Sequence, residues 1–468
     1  MQFAYVKSHL RINKLSFAGH YSNGSKNQLE SGTVSFKDIK LKLGQSEYTG
    51  SFIISGFYHP TTEIILKGRV FPRDFKEFFA IRKISTAEGS VDVDLKLVTD
   101  FWPKDSITLN NIIDLRPEAK LVFNSLSIGL QNNQLLFNNI NGNLSISDIF
   151  RAENLSFTYK EQKIKVDGDF RNLPQWLAGR PVQMIASANV TFNRLIPEVF
   201  LKKVTSTETR AANKTAINFP GDIILDLNFK IDSLNYKTFS SSKIEGTLNY
   251  KPRLLTFKSF KMKSLDGMIS GSGFIVQNIS KSIIAKGNFH VTNIDVNKAF
   301  KTFHNFRQDF IKAENLSGSL SGSLSVLLPM DAMLNPQIKS LTAEGKYILV
   351  DGALINFGPV KKLSSFIELS ELENIHFEKL ENDFFIRNNF LYVPQMDIKS
   401  SAADLSVNGK HSFDNNYEYH VKMLLSQILS KKRMKNKSNI TEFGVVADDG
   451  LGRTSLLLKV IGKGDEAK

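Results

Sequence analysis

The chain has 468 residues, enough for several compact domains or one very extended one. With 41% apolar and 23% charged residues it is a folding chain, and the absence of cysteine excludes disulfides, thiolate nucleophiles and cysteine-ligated zinc or iron–sulfur sites. Its net charge of +14 suits nucleic acid, anionic lipid headgroups or acidic glycans, or simply a lysine-rich solvated surface.

The first stretch, "MQFAYVKSHLRINKLSF", lacks the apolar centre of a secretion signal, and no apolar run approaches the ~18–20 residues of a membrane-spanning helix. The chain therefore reads as a soluble piece, with any export or anchoring segment outside it. "DFKEFFA" then places Phe75, Phe78 and Phe79 at helical spacing behind Asp74 as a cap. From there period-two alternation dominates, the mark of strands with one apolar face. In "GSVDVDLKLV", Val91, Val93, Leu95 and Leu97 share a face opposite Asp92, Asp94 and Lys96. A short helix is expected from Pro197, and "TSTETRAANKTA" (205–216) is a polar, unpatterned loop. Alternation resumes with Ile223, Leu225, Leu227, Phe229 and Ile231, and again with Ile244, Gly246, Leu248 and Tyr250.

"GMISGSGFIV" keeps its alternation through Gly271 and Gly273, which favours a strand over a phosphate loop. "DVNKAFKTFHNFRQDFI" predicts a helix capped by Asp295, with Val296, Phe300, Phe303, Phe306 and Phe310 in one packing stripe. "NLSGSLSGSLSV" has the composition of a flexible linker, yet Leu316, Leu320 and Leu324 alternate with serines in a register no linker needs; it predicts a strand. A further helix starts at Pro359, and Tyr417, Tyr419, Val421 and Met423 form another apolar strand face. The basic run Lys431, Lys432, Arg433, Met434, Lys435, Asn436, Lys437 is either a solvated loop or a dock for phosphates; it lacks the interleaved aromatics of a single-strand nucleic-acid site. In "ADDGLGRTSLLLKV", Gly450 to Arg453 reads as a phosphate loop or as the turn before a last strand.

A loose repeat joins these elements: a glycine-containing strand, a short polar turn and a short helix, as in "KGRVFPRDFKEFF", "DGDFRNLPQWLAG", "KGNFHVTNIDVNKAF" and "DGALINFGPVKKLSSF". On the order of 25 strands fit the chain at ~5–6 residues each plus turns. An open sheet rarely passes ~10 strands without curling, splitting or closing. A few short helices cannot cover so wide a face, so either two sheets bury each other or the face takes another apolar filler, such as a lipid tail.

No catalytic set emerges. The eight histidines show no metal-ligand spacing, and nucleophile-elbow and Walker patterns are absent. Asp448 and Asp449 read as turn residues without an acidic partner. No enzyme, cofactor or metal is expected.

Three segments carry a family resemblance: "DVNKAFKTFHNFRQDFIKAENLSGSLSGSLSV", the body from "AEGKYILVDGALINFGPV" to "NYEYHVKM", and "FGVVADDGLGRTSLLLKVIG". Together, from about Asp295 to Gly462, they resemble the AsmA-like C-terminal region of the AsmA family in its Bacteroidota form; upstream only the β texture agrees. On that resemblance Gly450 and Gly452 are turn glycines admitting a final strand. The resemblance implies a periplasmic protein held by an amino-terminal inner-membrane helix. It also implies a curled β-sheet whose groove carries phospholipid between the two membranes, and a role in outer-membrane assembly with a partner protein there. The chain lacks the membrane helix and is short for the family, so it is expected to be a carboxyl-terminal portion.

The expectations are therefore a mainly β fold, a long, curled, repetitive antiparallel sheet with a hydrophobic inner face and a few short helices. Residues 1–294 are a repetitive groove region and 295–468 the AsmA-like region. The expected groove lining is Val91, Val93, Leu95, Leu97, Ile223, Leu225, Leu227, Phe229, Ile231, Ile244, Leu248, Tyr250, Leu316, Leu320, Leu324, Tyr419, Val421 and Met423, with Lys431, Lys432, Arg433, Lys435 and Lys437 at headgroups and no nucleic acid as partner. The alternative is a non-transporting assembly factor built of closed β-sandwich units.

Overall fold

The computed structural model describes residues 3–4, 11–25, 27–78, 84–100, 113–130, 135–197, 218–307, 311–361, 364, 369–424, 445–448, 454–463 and 466–467. The fold is mainly β, with a few short helices, as the alternation predicts. The chain forms two compact units. The first comprises Met1–Phe200, Pro220–Asp232 and Asn249–Pro252; the second comprises Leu201–Phe219, Ser233–Leu248 and Arg253–Lys468. The expected division at 294/295 falls inside the second unit, where a strand runs directly into a helix.

In the first unit the strands are β1 (Phe3–Ala4), β2 (Arg11–Ser22), β3 (Thr33–Leu43), β4 (Ser46–Ser55), β5 (Thr61–Val70) and β6 (Ile84–Thr99). They continue as β7 (Glu118–Leu130), β8 (Leu135–Ile146), β9 (Ile149–Tyr159), β10 (Gln162–Arg171) and β11 (Met184–Leu195). Each pairs antiparallel with the next in sequence. β12 (Ile223–Tyr236) and β13 (Phe239–Lys251) contribute residues to both units.

One junction departs from this order. Met184 N–H donates to Asp222 O (2.9 Å), and further along both strands in the same direction Asn228 Nδ2 donates to Asn189 Oδ1 (3.0 Å). β12 thus starts alongside β11 in parallel.

The second unit holds β14 (Leu254–Ser264), β15 (Gly267–Gln277), β16 (Ile283–Asp295), β17 (Leu316–Met330), β18 (Thr342–Ile355) and β19 (Asn374–Arg387). It closes with β20 (Phe390–Ile398), β21 (Leu405–Ser412), β22 (Asn416–Leu424), β23 (Val445–Asp448), β24 (Thr454–Lys463) and β25 (Glu466–Ala467). The serine–glycine segment is β17, as its register requires. Sequence order holds up to β22; β24 then lies between β22 and β23. β23 and β24 form a hairpin whose connection, including Gly450 to Arg453, lies outside the described residues.

Turn chemistry sets the registers. Among the described residues, three two-residue hairpin turns have both central residues at positive φ, the form that matches strand twist: Lys160–Glu161, Leu265–Asp266 and Asn388–Asn389. Left-handed residues also sit at register shifts within strands, among them Asp38, Ser125, Asn154 and Asn293, where bulges add twist.

Among the described residues the strand-then-helix theme is present four times: β5 into Pro72–Phe78, β10 into Leu173–Leu177, β16 into Val296–Thr302, and β18 into Gly358–Lys361. Asp295 caps its helix as expected, accepting the Lys298 N–H at 2.8 Å. Asp74 does not cap. Its helix starts earlier, at Pro72, and the buried Asp74 carboxylate instead accepts the Gln45 N–H (2.9 Å), the Ser46 N–H (2.9 Å) and the Ser46 hydroxyl (2.7 Å). It thereby pins the β3–β4 turn, where Gly44 has φ +60° and a Cβ would collide with that carboxylate at 2.5 Å.

Candidate functional site

Register converts alternation into rows that run across the strands. In the first unit Leu15, Leu41, Tyr48, Gly68, Val93, Leu121, Leu144, Ala152, Gly168 and Ala188 are cross-strand partners from β2 to β11. Every member is apolar or glycine. The neighbouring row, one residue along each strand and on the other face, is Ser16, Lys40, Thr49, Lys67, Asp94, Lys120, Ser145, Arg151, Asp169 and Ser187. Every member there is polar. At ~4.8 Å per strand step, nine steps make an apolar strip about 43 Å long.

The polar face is held by exposed ion pairs. Arg69 grips Asp92 through two bonds (2.6 and 2.9 Å), and Arg151 grips Asp169 likewise (2.7 and 3.1 Å). The Arg69 guanidinium holds the Asp92 carboxyl below its usual range, against the opposing effect of partial burial. A shallow hollow of about 410 Å³ on this face is lined mainly by polar side chains, among them Arg151, Asp169, Asn189 and Asp226.

The apolar face of the first unit reaches water. Phe17 packs edge-on to Phe36 (5.1 Å), and Phe36 lies 6.2 Å from Phe52, yet Phe17 remains 50% exposed and Tyr21 59%. Burying one such ring contributes roughly 1.5–3 kcal/mol, so an aromatic face left in solvent invites an apolar occupant.

The second unit has a corresponding row. Phe257, Gly273, Gly287, Val326, Ala343, Ile386, Leu391, His411, Tyr417 and Gly462 are partners across β14 to β22 and on to β24. Its one ionisable imidazole, His411, is buried and stacked on Tyr417 (5.7 Å); burial pushes its pKa down, against a smaller opposing effect of hydrogen bonding to Asn415. Tyr347, on the same face with its hydroxyl 3.6 Å from Met396 Sδ, is pushed up to about 12 by burial.

Part of this face is covered by protein. Val296, Leu349 and Phe377 form a buried cluster with Phe300, Leu316, Leu320 and Leu380 beneath the helix Val296–Thr302. A second cluster joins Leu372, Ile375, Ala402, Ala403, Met423 and Leu456, the last two only 1% and 0% exposed.

The expected lining residues divide accordingly. Val91 and Leu97 are buried on β6, and Val93 and Leu95 half-buried on the same face. On β12, Ile223, Leu225, Leu227 and Phe229 are half-buried and Ile231 buried; on β13, Leu248 is half-buried and Ile244 and Tyr250 buried. Tyr250 donates its hydroxyl to Pro220 O (2.6 Å). Leu316 and Leu320 lie under the helix, whereas Leu324 sits between its partners Phe289 and Gly345. Tyr419 and Val421 are half-buried, and Val421 packs on the cluster that encloses Met423. Lys431, Lys432, Arg433, Lys435 and Lys437 lie outside the described residues.

Row members such as Leu121, Leu144, Ala152 and Leu391 are additions to the expected set. Their strands alternate too, but register shifts between Phe123 and Leu126 and between Val393 and Met396 break the period a sequence scan follows. Among the described residues no group of three or more acidic or histidine side chains is placed to hold a metal ion. Among them, too, no helix is long and apolar enough to cross a membrane. No protein-family model, characterised protein or solved structure matches the chain.

Proposed function

We propose that the protein is a lipid-binding, bridge-like member of the AsmA family, acting in the periplasm. Its apolar face carries phospholipid between the inner and outer membranes and supports outer-membrane biogenesis; the full-length protein is anchored in the inner membrane and meets an outer-membrane partner. The observation that carries the proposal is the ten-residue apolar row backed by an all-polar row, with Phe17 and Tyr21 left in water. Acyl chains lying along such a strip meet many weak, equivalent contacts, which allow movement without a deep trap. Headgroups remain at the strip's edge, where lysines meet their phosphates.

A photo-crosslinking residue in place of Leu227 should capture phospholipid in cells, and one in place of Asn228, on the opposite face, should not. Crosslinks from position 227 only to this same chain would sink the proposal. The alternative, an assembly factor with closed apolar faces, is supported locally by the enclosed cluster around Met423 and Leu456. Native mass spectrometry separates the two, since a clean apo mass favours the closed form.

A further inference from the structure

The second unit carries a group of aromatic side chains at a strand-end tip, apart from the apolar rows. The helix Val296–Thr302 is capped at its end by Phe303, and His304, Asn305 and Phe306 then all take positive φ (55°, 52° and 53°). Left-handed backbone is tolerated by histidine and asparagine but disfavoured for phenylalanine. Asn305 holds the turn by accepting the Ala313 N–H at 2.9 Å. The result is outward presentation: Phe303 is 43% and Phe306 55% exposed, with their rings 5.5 Å apart. Thr238 Oγ1 donates to Thr302 O (2.9 Å), which ties the β12–β13 turn to this helix end and stacks Phe239 on Phe303 at 6.2 Å. Tyr236 on the same turn is 37% exposed, with Lys237 Nζ 5.2 Å from its ring centre.

We propose that this tip inserts into the interface of an anionic bilayer. Phe303 and Phe306 enter the upper acyl region, and Lys237 and Lys301 meet lipid phosphates. Aromatic rings flanked by lysines are the composition of membrane interfaces. A protein partner fits less well, because the three exposed rings Phe303, Phe306 and Tyr236 fall far short of the ~1,000 Å² that a stable protein interface buries. Charge points to the same surface. Lys237 and Lys301 are exposed; of the described carboxylates nearby, Asp266 is engaged by the Lys298 ammonium and Asp295 by the Lys298 N–H, and Glu314 is exposed. The inference does not rest on lipid carriage by the apolar face.

Flotation of the full 468-residue chain with vesicles tests it, using phosphatidylcholine alone and phosphatidylcholine mixed with phosphatidylglycerol. Binding to the mixed vesicles is expected, and Phe303→Ser with Phe306→Ser should lower the bound fraction roughly tenfold. Lys237→Glu with Lys301→Glu should reduce binding to the level seen with phosphatidylcholine alone. The chain contains no cysteine, so His304→Cys accepts a single environment-sensitive dye, whose emission should shift to the blue with mixed vesicles. Undiminished flotation of the folded phenylalanine variant would overturn the proposal. So would unchanged dye emission, which decides the matter if that variant fails to fold.

Discussion

The two units use one ladder plan to different ends. In the first, the row from Leu15 to Ala188 is apolar throughout, and aromatic residues on its face stand half in water. In the second, the corresponding row admits His411, a helix covers Leu316 and Leu320, and insertion of β24 beside β22 encloses Met423 and Leu456. Alternation therefore establishes that a face is apolar, not what lies against it. Cover is decided by short helices and strand order, features a period-two pattern does not encode.

Substitutions that place a carboxylate on each face give the sharpest contrast. Met423→Asp buries an unpaired charge and should cost about 4 kcal/mol or more, enough to unfold much of the second unit. Leu121→Asp, at a half-buried position of the first unit's row, should cost nearer ~1 kcal/mol because water reaches it. Equal costs in chemical denaturation would erase the difference between the units.

Within the first unit the expected weak point is the Asp74 pin. Asp74→Ala strands three donors and should remove about 3 kcal/mol, with hydrogen exchange accelerating first in the β3–β4 turn. On β17, Leu320→Asp should cost ~2–3 kcal/mol beneath its helix. Ser321→Asp should cost roughly 0.5 kcal/mol, since a carboxylate there still accepts the Asn293 N–H that the serine hydroxyl accepts at 2.9 Å. Matching tolerance would mean that the helix leaves the strand open.

The smallest expected effect is on pH dependence and belongs to the second unit. Burial lowers the folded-state pKa of His411, so as pH falls below the unfolded value near 6.5 the unfolded chain binds a proton that the folded one resists. Stability should fall with acidity there, by at most about 1.4 kcal/mol per pH unit, and His411→Phe should flatten that part of the profile. At the alkaline end the sign reverses. Tyr347, with a pKa near 12 when folded, keeps its proton after the unfolded phenol has lost it above pH ~10, so stability should fall as pH rises, and Tyr347→Phe should lessen the drop, Tyr419, also pushed up by burial, supplying much of the rest.

Much of this was legible in the residues. The alternation of Val91, Val93, Leu95 and Leu97 reports its face directly, and the Asp295 cap was visible as a side chain one residue before a phenylalanine stripe. The end of that helix was not. Phe300, Phe303 and Phe306 keep helical spacing while the backbone turns left-handed at His304. Of the three tight hairpins, Asn388–Asn389 has the residues such turns favour; Lys160–Glu161 and Leu265–Asp266 do not, and are held there by pairing of the flanking strands. The parallel start of β12 was hidden because the connection to it carries a polar stretch without period.

Pairing in chain order has a consequence for how such a protein changes over generations. The apolar rows run perpendicular to the strands, so each added hairpin lengthens a row by two strand widths, about 10 Å, and repeats the chemistry already present. Each strand meets mainly its immediate neighbours, so a duplicated or deleted hairpin disturbs only the joint where it occurs. Reach and affinity are then separable traits: a tandem duplication alters the distance spanned, while point substitutions along a row alter what it holds.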